Sequence, residues 1–512
     1  MTAAADHAPL KGAALWMVAV LLAMANFIAV LDMTIANVSM ASIAGSLGIS
    51  TSQGTWVITS YSVAEAIIVP LTGWLANRFG AVRVFTTAML LFGIFSAFCG
   101  LSTSLEMLVF GRIMQGLSGG SLMPLSQTLL RRVFPKERAP AAMALWAMTT
   151  LVAPVLGPIL GGSICDNLAW PFIFFINVPI ALFCAPVIAR TLRRFELAKV
   201  KAPIDMVGLV LLIIFVGSLQ VMLDIGKDHD WFNAMEIRVL AAMAVIFFLA
   251  FLIWELTDAN PIVDLRVFRH RGFTAAVFTL ALGYGSMFGA DVVTPLWLQS
   301  YMGYTATWAG MTTAWSGVCA VLMAPVAGVL MSKKIDPRLI VFFGLAWIAG
   351  VTMLRTVLTN DITYWQIAVP LILMGIGLPL FFVPLTALAL GSVDEAETAS
   401  GAGLQNFLRT MSGAVATSLT TTAWDDKATY AHAELAGLAD KSCDTLTKLT
   451  ASGMSHDMAV NQLNNLVQGQ SVMIATNQLM FVVAVAFAIA ALAIWLAPKP
   501  GRAIDMAEAG GH

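Results

Sequence analysis

Apolar residues run in long unbroken blocks along this chain, and polar residues gather in the short breaks between them. Blocks of spanning length fall near 15–38, 55–76, 84–103, 105–128, 141–164, 170–190, 204–224, 237–256, 273–295, 307–331, 339–357, 365–390, 402–423 and 473–497. About 20 apolar residues carry a helix across a hydrocarbon core of about 30 Å, so each block predicts a transmembrane helix. Fourteen blocks predict an all-α polytopic membrane protein with both termini on one side. Two breaks stand apart. The stretch 391–401 holds no Lys or Arg. The stretch 424–472 is long and polar and predicts an outer loop, with a helical pattern at 456–468 but no spanning run.

Composition settles the class. A chain of 512 residues has room for several soluble domains. It is 59% hydrophobic and 11% charged, where soluble domains carry about 25% charged residues. The net charge of −1 gives no basic footprint for nucleic acid. The first block follows only Lys11 and is too long for a signal peptide, so it reads as a retained span. Cys99, Cys165, Cys184 and Cys319 sit in or beside apolar blocks, and Cys443 has no nearby partner. No disulfide and no metal site are expected.

Lys and Arg orient the chain. One set of breaks carries Lys11, Arg78, Arg83, Arg131, Arg132, Lys136, Arg138, Arg190, Arg193, Arg194, Lys199, Lys201, Arg266, Arg269, Arg271, Lys333, Lys334, Arg338, Lys499 and Arg502. The other short breaks carry essentially Lys227, with Arg238 and Arg355 near helix ends. This bias places both termini in the cytoplasm.

The ionisable residues expected to be buried within the blocks are few: Asp32, Glu65, Arg112, Asp291 and Arg409. An ionised Asp at the centre of a membrane helix costs about 2.5–3.5 kcal/mol, so each is a functional candidate or one of a structural ion pair. Ala25, Ala29 and Ala36 share a helical face with Asp32 and allow close approach. The blocks contain no His, so a carboxylate is the residue left to carry a proton. A phosphate loop is absent, since Gly226-Lys227 is followed by Asp228, and no His-based catalytic set exists in the blocks. These absences argue against an ATP-driven pump and an intramembrane enzyme.

A short pattern repeats. Pro70, Gly73 and Leu75 lead to Arg78 and Arg83, and Pro325, Gly328 and Leu330 lead to Lys333 and Arg338 at the same spacing. Parallel repeats mark transporters. The offset fits an N-terminal six-helix bundle at 1–203, two inserted helices and a linker at 204–272, and a C-terminal bundle at 273–512. Within the fifth block, Pro154 and Pro158 can bend the helix, and Gly157 and Gly161 give it a flat face. That helix reads as a hinge or seal between the halves.

With these motifs in hand, the chain resembles the major facilitator superfamily, and more narrowly its fourteen-helix drug/proton antiporters of the EmrB/QacA type. LDMTIANV at 31–38 is similar to the subgroup's first-helix signature, and LVFGRIMQGLSGG at 108–120 to its fourth-helix motif. GWLANRFGAVRVF at 73–85 is similar to the superfamily loop after helix 2, with Asn77 at the usual acidic position and Ala81 at a usual basic one. APVLGPILGG at 153–162 resembles the antiporter motif of helix 5; WPFIFFINVPI at 170–180, DLRVFRHRGF at 264–273 and GAGLQNFLRTMSG at 401–413 add to the likeness. The resemblance implies two six-helix bundles plus two inserted helices. It implies proton-coupled efflux of hydrophobic or amphipathic toxic compounds across the bacterial inner membrane, driven by proton-motive force with no cofactor. Asp32, Glu65, Arg112, Asp291 and Arg409 would serve proton coupling and the substrate cavity. Gly73, Asn77, Arg78, Gly80, Pro154, Gly157, Pro158, Gly161 and Gly162 would serve gating. It also implies a periplasmic adaptor and an outer-membrane channel as partners; the length and polarity of 424–472 make that stretch the hypothesised docking point. Export of one endogenous metabolite and a non-transporting sensor of the same fold stay open as alternatives.

Overall fold

The computed structural model describes residues 12–499, apart from 50, 55, 136–137, 197–204, 260, 334, 360, 395–396, 441–442 and 453. Lys11, Lys136, Lys199, Lys201, Lys334 and Arg502 of the charge argument lie outside the described residues. Among the described residues every regular element is helical. The face carrying the described chain ends is called here the near face, and the opposite one the far face.

The first set of helices is α1 (Gly12–Val38), the short α2 (Met40–Leu47) and α3 (Thr51–Gly54), α4 (Trp56–Phe79), α5 (Ala81–Gly100), α6 (Leu105–Gly119), α7 (Leu122–Val133), α8 (Ala139–Asn167), α9 (Phe172–Phe175) and α10 (Asn177–Leu192). The inserted pair is α11 (Met206–Ile225) and α12 (Met235–Thr257). The second set is α13 (Arg271–Tyr301), α14 (Ala306–Ser332), α15 (Pro337–Leu354), α16 (Tyr364–Gly391), α17 (Thr398–Asp440), α18 (Cys443–Ala451) and α19 (His456–Ala493). Polar caps start several of them. Ser104 accepts from the Met107 amide, Asp205 from Gly208, Thr305 from Trp308 and Ser455 from Met458.

Helices pair in matching order in the two sets. In the first, α1 packs on α8, α4 on α6 and α5 on α10; in the second, α13 packs on α17, α14 on α16 and α15 on α19. The repeated sequence pattern sits at equivalent places, at the ends of α4 and α14. The two sets meet along α4 with α17, α7 with α17, and α8 with α14.

Eleven helices of the described chain are long and apolar enough to cross a membrane, and the bent α8 makes a twelfth. The sequence blocks at 105–128 and 402–423 fall short of that standard. The first is broken into α6 and α7 at Gly119 and Gly120, where a Cβ would press on Phe92 and on the Glu65 backbone. Both helical runs carry buried polar residues, which lower their hydropathy while the bundle hides them.

One expectation is corrected. The stretch 424–472 is not a loop. α17 continues unbroken to Asp440 and α19 begins at His456, with α18 between them. The 43 residues of α17 measure about 64 Å at 1.5 Å per residue, roughly twice the hydrocarbon core. A helical hairpin therefore stands out from the far face.

Candidate functional site

Asp32 of α1 sits at the centre of a buried polar knot. Arg112 Nη1 of α6 meets Asp32 Oδ2 at 2.5 Å, and both side chains are 0% exposed. One helical turn after Arg112, Gln115 donates to Asp32 Oδ1 at 2.9 Å and accepts from Arg112 at 2.9 Å. Asn177 of α10 donates to the same Oδ1 at 2.8 Å. Ser96 of α5 accepts from Asn177 and Gln115 and donates to the Phe174 carbonyl. Arg112 Nε donates to the Val57 carbonyl of α4, and its guanidinium lies over the Tyr61 ring at 4.2 Å. Asp32 is thus held by α6 and α10, whose residues are in turn anchored by α5 and α4. Removing one partner of such a pair strands a buried charge, at a cost of about 3–5 kcal/mol.

A second pair of charges faces across the seam between the sets. Glu65 of α4 is buried, and its Oε2 has no hydrogen-bond partner. Arg409 of α17 is buried too, with Nε unpartnered and its guanidinium 5.2 Å from the Tyr284 ring and 5.9 Å from the Phe382 ring. The guanidinium also contacts the thioether of Met123 on α7. Arg409 is the strongest opposite charge acting on Glu65. Just nearer the near face, Asn406 donates to Gln127 of α7 at 2.9 Å across the same seam.

Asp291 stands apart from both groups. It is exposed in the far half of α13, and the charge acting on it is Arg355, just past α15. Arg355 is buried and donates to Thr294 at 2.6 Å, one turn after Asp291.

At the near face the sets touch directly. A Cβ at Gly73 of α4 would come within 2.7 Å of Ser400 Oγ, one at Gly403 within 3.1 Å of the Val69 carbonyl, and Arg131 donates to the Leu390 carbonyl. Two helical sets meeting on a seam of buried opposite charges, with paired charges inside one set, is a transporter's arrangement. A family model described as the Major Facilitator Superfamily matches residues 22–417. The chain belongs to the major facilitator superfamily. Multidrug export protein EmrB of Escherichia coli strain K12 is 41% identical over 497 residues, covering 96% of this chain and 97% of its own. Fatty acid resistance protein FarB of Neisseria gonorrhoeae is 40% identical over 511 residues, 99% of this chain and 100% of its own. Probable multidrug resistance protein EmrY of Escherichia coli strain K12 is 40% identical over 501 residues. The chain is therefore an EmrB-type member, a multi-span membrane transporter and not an enzyme.

The residues expected from the sequence to serve gating fall in three places. Gly73 lies on the seam. Arg78 stacks near Trp74 and Phe79, at 5.7 and 5.9 Å, beside half-buried Asn77. Gly80 turns at φ +98°, in the left-handed region that glycine enters without strain. Glu196, which the sequence did not single out, lies against it and accepts from the first amides of α5, Val82 at 3.0 Å and Arg83 at 3.1 Å. A carboxylate thus sits on a helix N-terminus, close to the loop that lacks its usual acid at Asn77.

The helix 5 expectation needs a correction. Pro154 and Pro158 lie in α8, which bends by 44° between 154 and 159. Its glycine face does not look across the seam. Cβ atoms at Gly157 and Gly161 would strike Thr34 and Ile35 of α1, in the same set. Gly162 is the one turned toward the other set, where its Cβ would lie 4.0 Å from Thr307 of α14. Helices α1 and α8 are close neighbours here because small residues and polar ties, such as Asn26 to Thr149 and Thr150 at 2.8 Å, hold them together.

Proposed function

We propose that this transporter exports hydrophobic and amphipathic toxic compounds across the bacterial inner membrane in exchange for protons, with both termini in the cytoplasm. The relatives' printed names, multidrug export and fatty acid resistance, support the substrate class. The observation that carries the reading is the meeting of Glu65 and Arg409 on opposite sides of the seam. Each keeps an unsatisfied polar atom, so each has capacity for a ligand group or a water when the seam opens. Tyr284, Phe382 and Met123 line the same place with adaptable apolar surface. Charged head groups of either sign would find a partner there.

Coupling works through loss of charge. A proton reaching Asp32 removes the anion that faces Arg112 and loosens α1 from α6 and α10. Glu65 and Asp291 are the other carboxylates able to take a proton. One charge crossing 100 mV contributes about 2.3 kcal/mol. The experiment is efflux from proteoliposomes with a proton gradient imposed and then collapsed. Export that is indifferent to the gradient would overturn proton coupling.

The projecting hairpin supports docking of a periplasmic adaptor that leads to an outer-membrane channel. It exposes Tyr430, Leu438, Met458 and Leu466. Replacing 428–470 by a short Gly/Ser linker should spare substrate binding in detergent. Adaptor co-purification and whole-cell resistance should fall together, and unchanged co-purification would remove the hairpin as docking site.

A further inference from the structure

The inserted pair takes no part in the reading so far, yet one end of α11 touches both six-helix sets. Its length lies along α4 of the first set, and its far end reaches α17 of the second. There two successive residues turn polar groups to opposite sides. Ser418 of α17 donates to the Leu223 carbonyl at 2.8 Å in a buried contact. The Asp224 carboxylate, one residue on, faces Thr59 of α4. Beyond the helix end the turn adds two more ties to α17: Trp231 Nε1 donates to Thr422 Oγ1 at 3.2 Å, and Lys227 Nζ lies 3.6 Å from Asp425. The turn is tightly determined. Asp230 and Trp231 both take positive φ, 55° and 49°, and the Trp231 amide donates to the Gly226 carbonyl at 2.8 Å.

The two contacts differ in kind. Toward α17 there are three polar ties. Toward α4 helix surface packs on helix surface, with Asp224 facing Thr59 at its far end. Apolar contact between helices in a bilayer is easily exchanged for lipid, whereas interhelical hydrogen bonds hold a partner in place.

We propose that the inserted pair α11–α12 is carried by the second set as a strut against the far half of α4, and that the contact where Asp224 faces Thr59 is the joint that parts when the sets move. The proposal rests on alternating access but not on proton coupling or substrate identity. It explains how a chain with two extra helices between its halves can still rock: the extra helices ride with one half and slide on the other.

Two cysteine pairs in the full-length protein test it, joined by a short cleavable bismaleimide. Linking Trp231→Cys to Thr422→Cys joins parts of one moving body, and efflux should stay within about twofold of the unlinked protein. Linking Thr59→Cys to Asp224→Cys joins two bodies, and efflux should fall more than about tenfold and return when the linker is cleaved. Equal losses, no losses, or the reverse order would overturn the proposal. If the unmodified protein does not export either, the export reading is at fault; whenever the unlinked variants are inactive, distances decide the strut. Spin labels at Lys227→Cys and Thr429→Cys should keep one separation on a shift of pH or added substrate, while Lys227→Cys and Trp56→Cys should change theirs. Both fixed, both moving, or the converse would overturn it.

Discussion

Asn406 of α17 donates its side-chain amide to Gln127 of α7 at 2.9 Å, across the seam and out of reach of solvent. Each amide keeps one buried atom without a partner, Gln127 Nε2 and Asn406 Oδ1. Hydrogen bonds between membrane helices average about 0.6 kcal/mol and reach about 1.7. That biases an equilibrium several-fold without freezing it. Asn406→Ala and Gln127→Ala should each slow efflux several-fold, and the double variant should be no slower than the worse single one. A double-mutant cycle on initial efflux rates measures this, and strictly additive losses would show that the two act apart.

The Asp32 knot predicts a cost in folding as well as in coupling. Asp32→Asn leaves Arg112 charged and buried, so the variant should lose about 3–5 kcal/mol of stability along with gradient-driven export. Adding Arg112→Gln should recover much of the melting temperature in detergent but not the gradient dependence. A single Asp32→Asn variant with wild-type stability and wild-type response to a proton gradient would refute both statements.

Glu65 and Arg409 should sort substrates by charge. Glu65→Gln is expected to weaken export of cationic compounds more than neutral ones, by about tenfold for about 1.4 kcal/mol of lost attraction. Arg409→Gln should do the same to carboxylates. Resistance profiles against matched cationic, neutral and anionic compounds read this out. A uniform loss across all three would mark the pair as structural.

The glycines of α8 should separate folding from gating. Gly157→Leu forces a side chain into Thr34 and Ile35, and overpacking of this kind costs about 1–3 kcal/mol or more. Its expected signature is poor expression. Gly162 has ordinary contact distance to Thr307 and open space otherwise, so Gly162→Leu should fold and impair transport. Equal expression with equal transport for both would show that neither face matters.

Near the start of α15, Arg338 holds the Asp336 carboxyl below the usual carboxylate range. A depressed value adds stability that is present above the unfolded pKa of about 3.9 and is lost as pH falls through the folded one. Asp336→Asn should therefore be less stable than wild type at pH 7, by up to about 1 kcal/mol for the lost ion pair, and the two should converge toward pH 3. A gap that persists in acid would assign the effect to shape and not to charge.

The helices were legible because lipid demands long apolar blocks, and blocks are a one-dimensional property. The hairpin was not, because α17 past Trp424 is largely exposed, buries only small residues such as Ala428 and Ala431, and so carries no apolar run to mark it. Asp32 and Arg112 were legible as costly charges. Their pairing was not, since 80 positions separate them and no spacing rule reaches that far. Some of the missed partners did leave a signal. Gln115 follows Arg112 by three, and Asn406 precedes Arg409 by three, so each shares a helical face with a charge already suspected. Asn177 lay in the quoted motif at 170–180 and Arg355 was noted at a helix end, but what each binds appears only in the fold; nothing local distinguished Glu196.

One helix runs without interruption from the seam to the tip of the hairpin. Asn406, Arg409, Ser418 and Asp440 are all on α17. From Arg409 to Asp440 it covers about 46 Å, so a swing of roughly 10° at the seam sweeps the tip through about 8 Å. That makes α17 a lever arm, with its fulcrum inside the membrane and its handle outside. A protein gripping the handle would sense which way the transporter is turned, and by pushing back it could set the pace of the cycle.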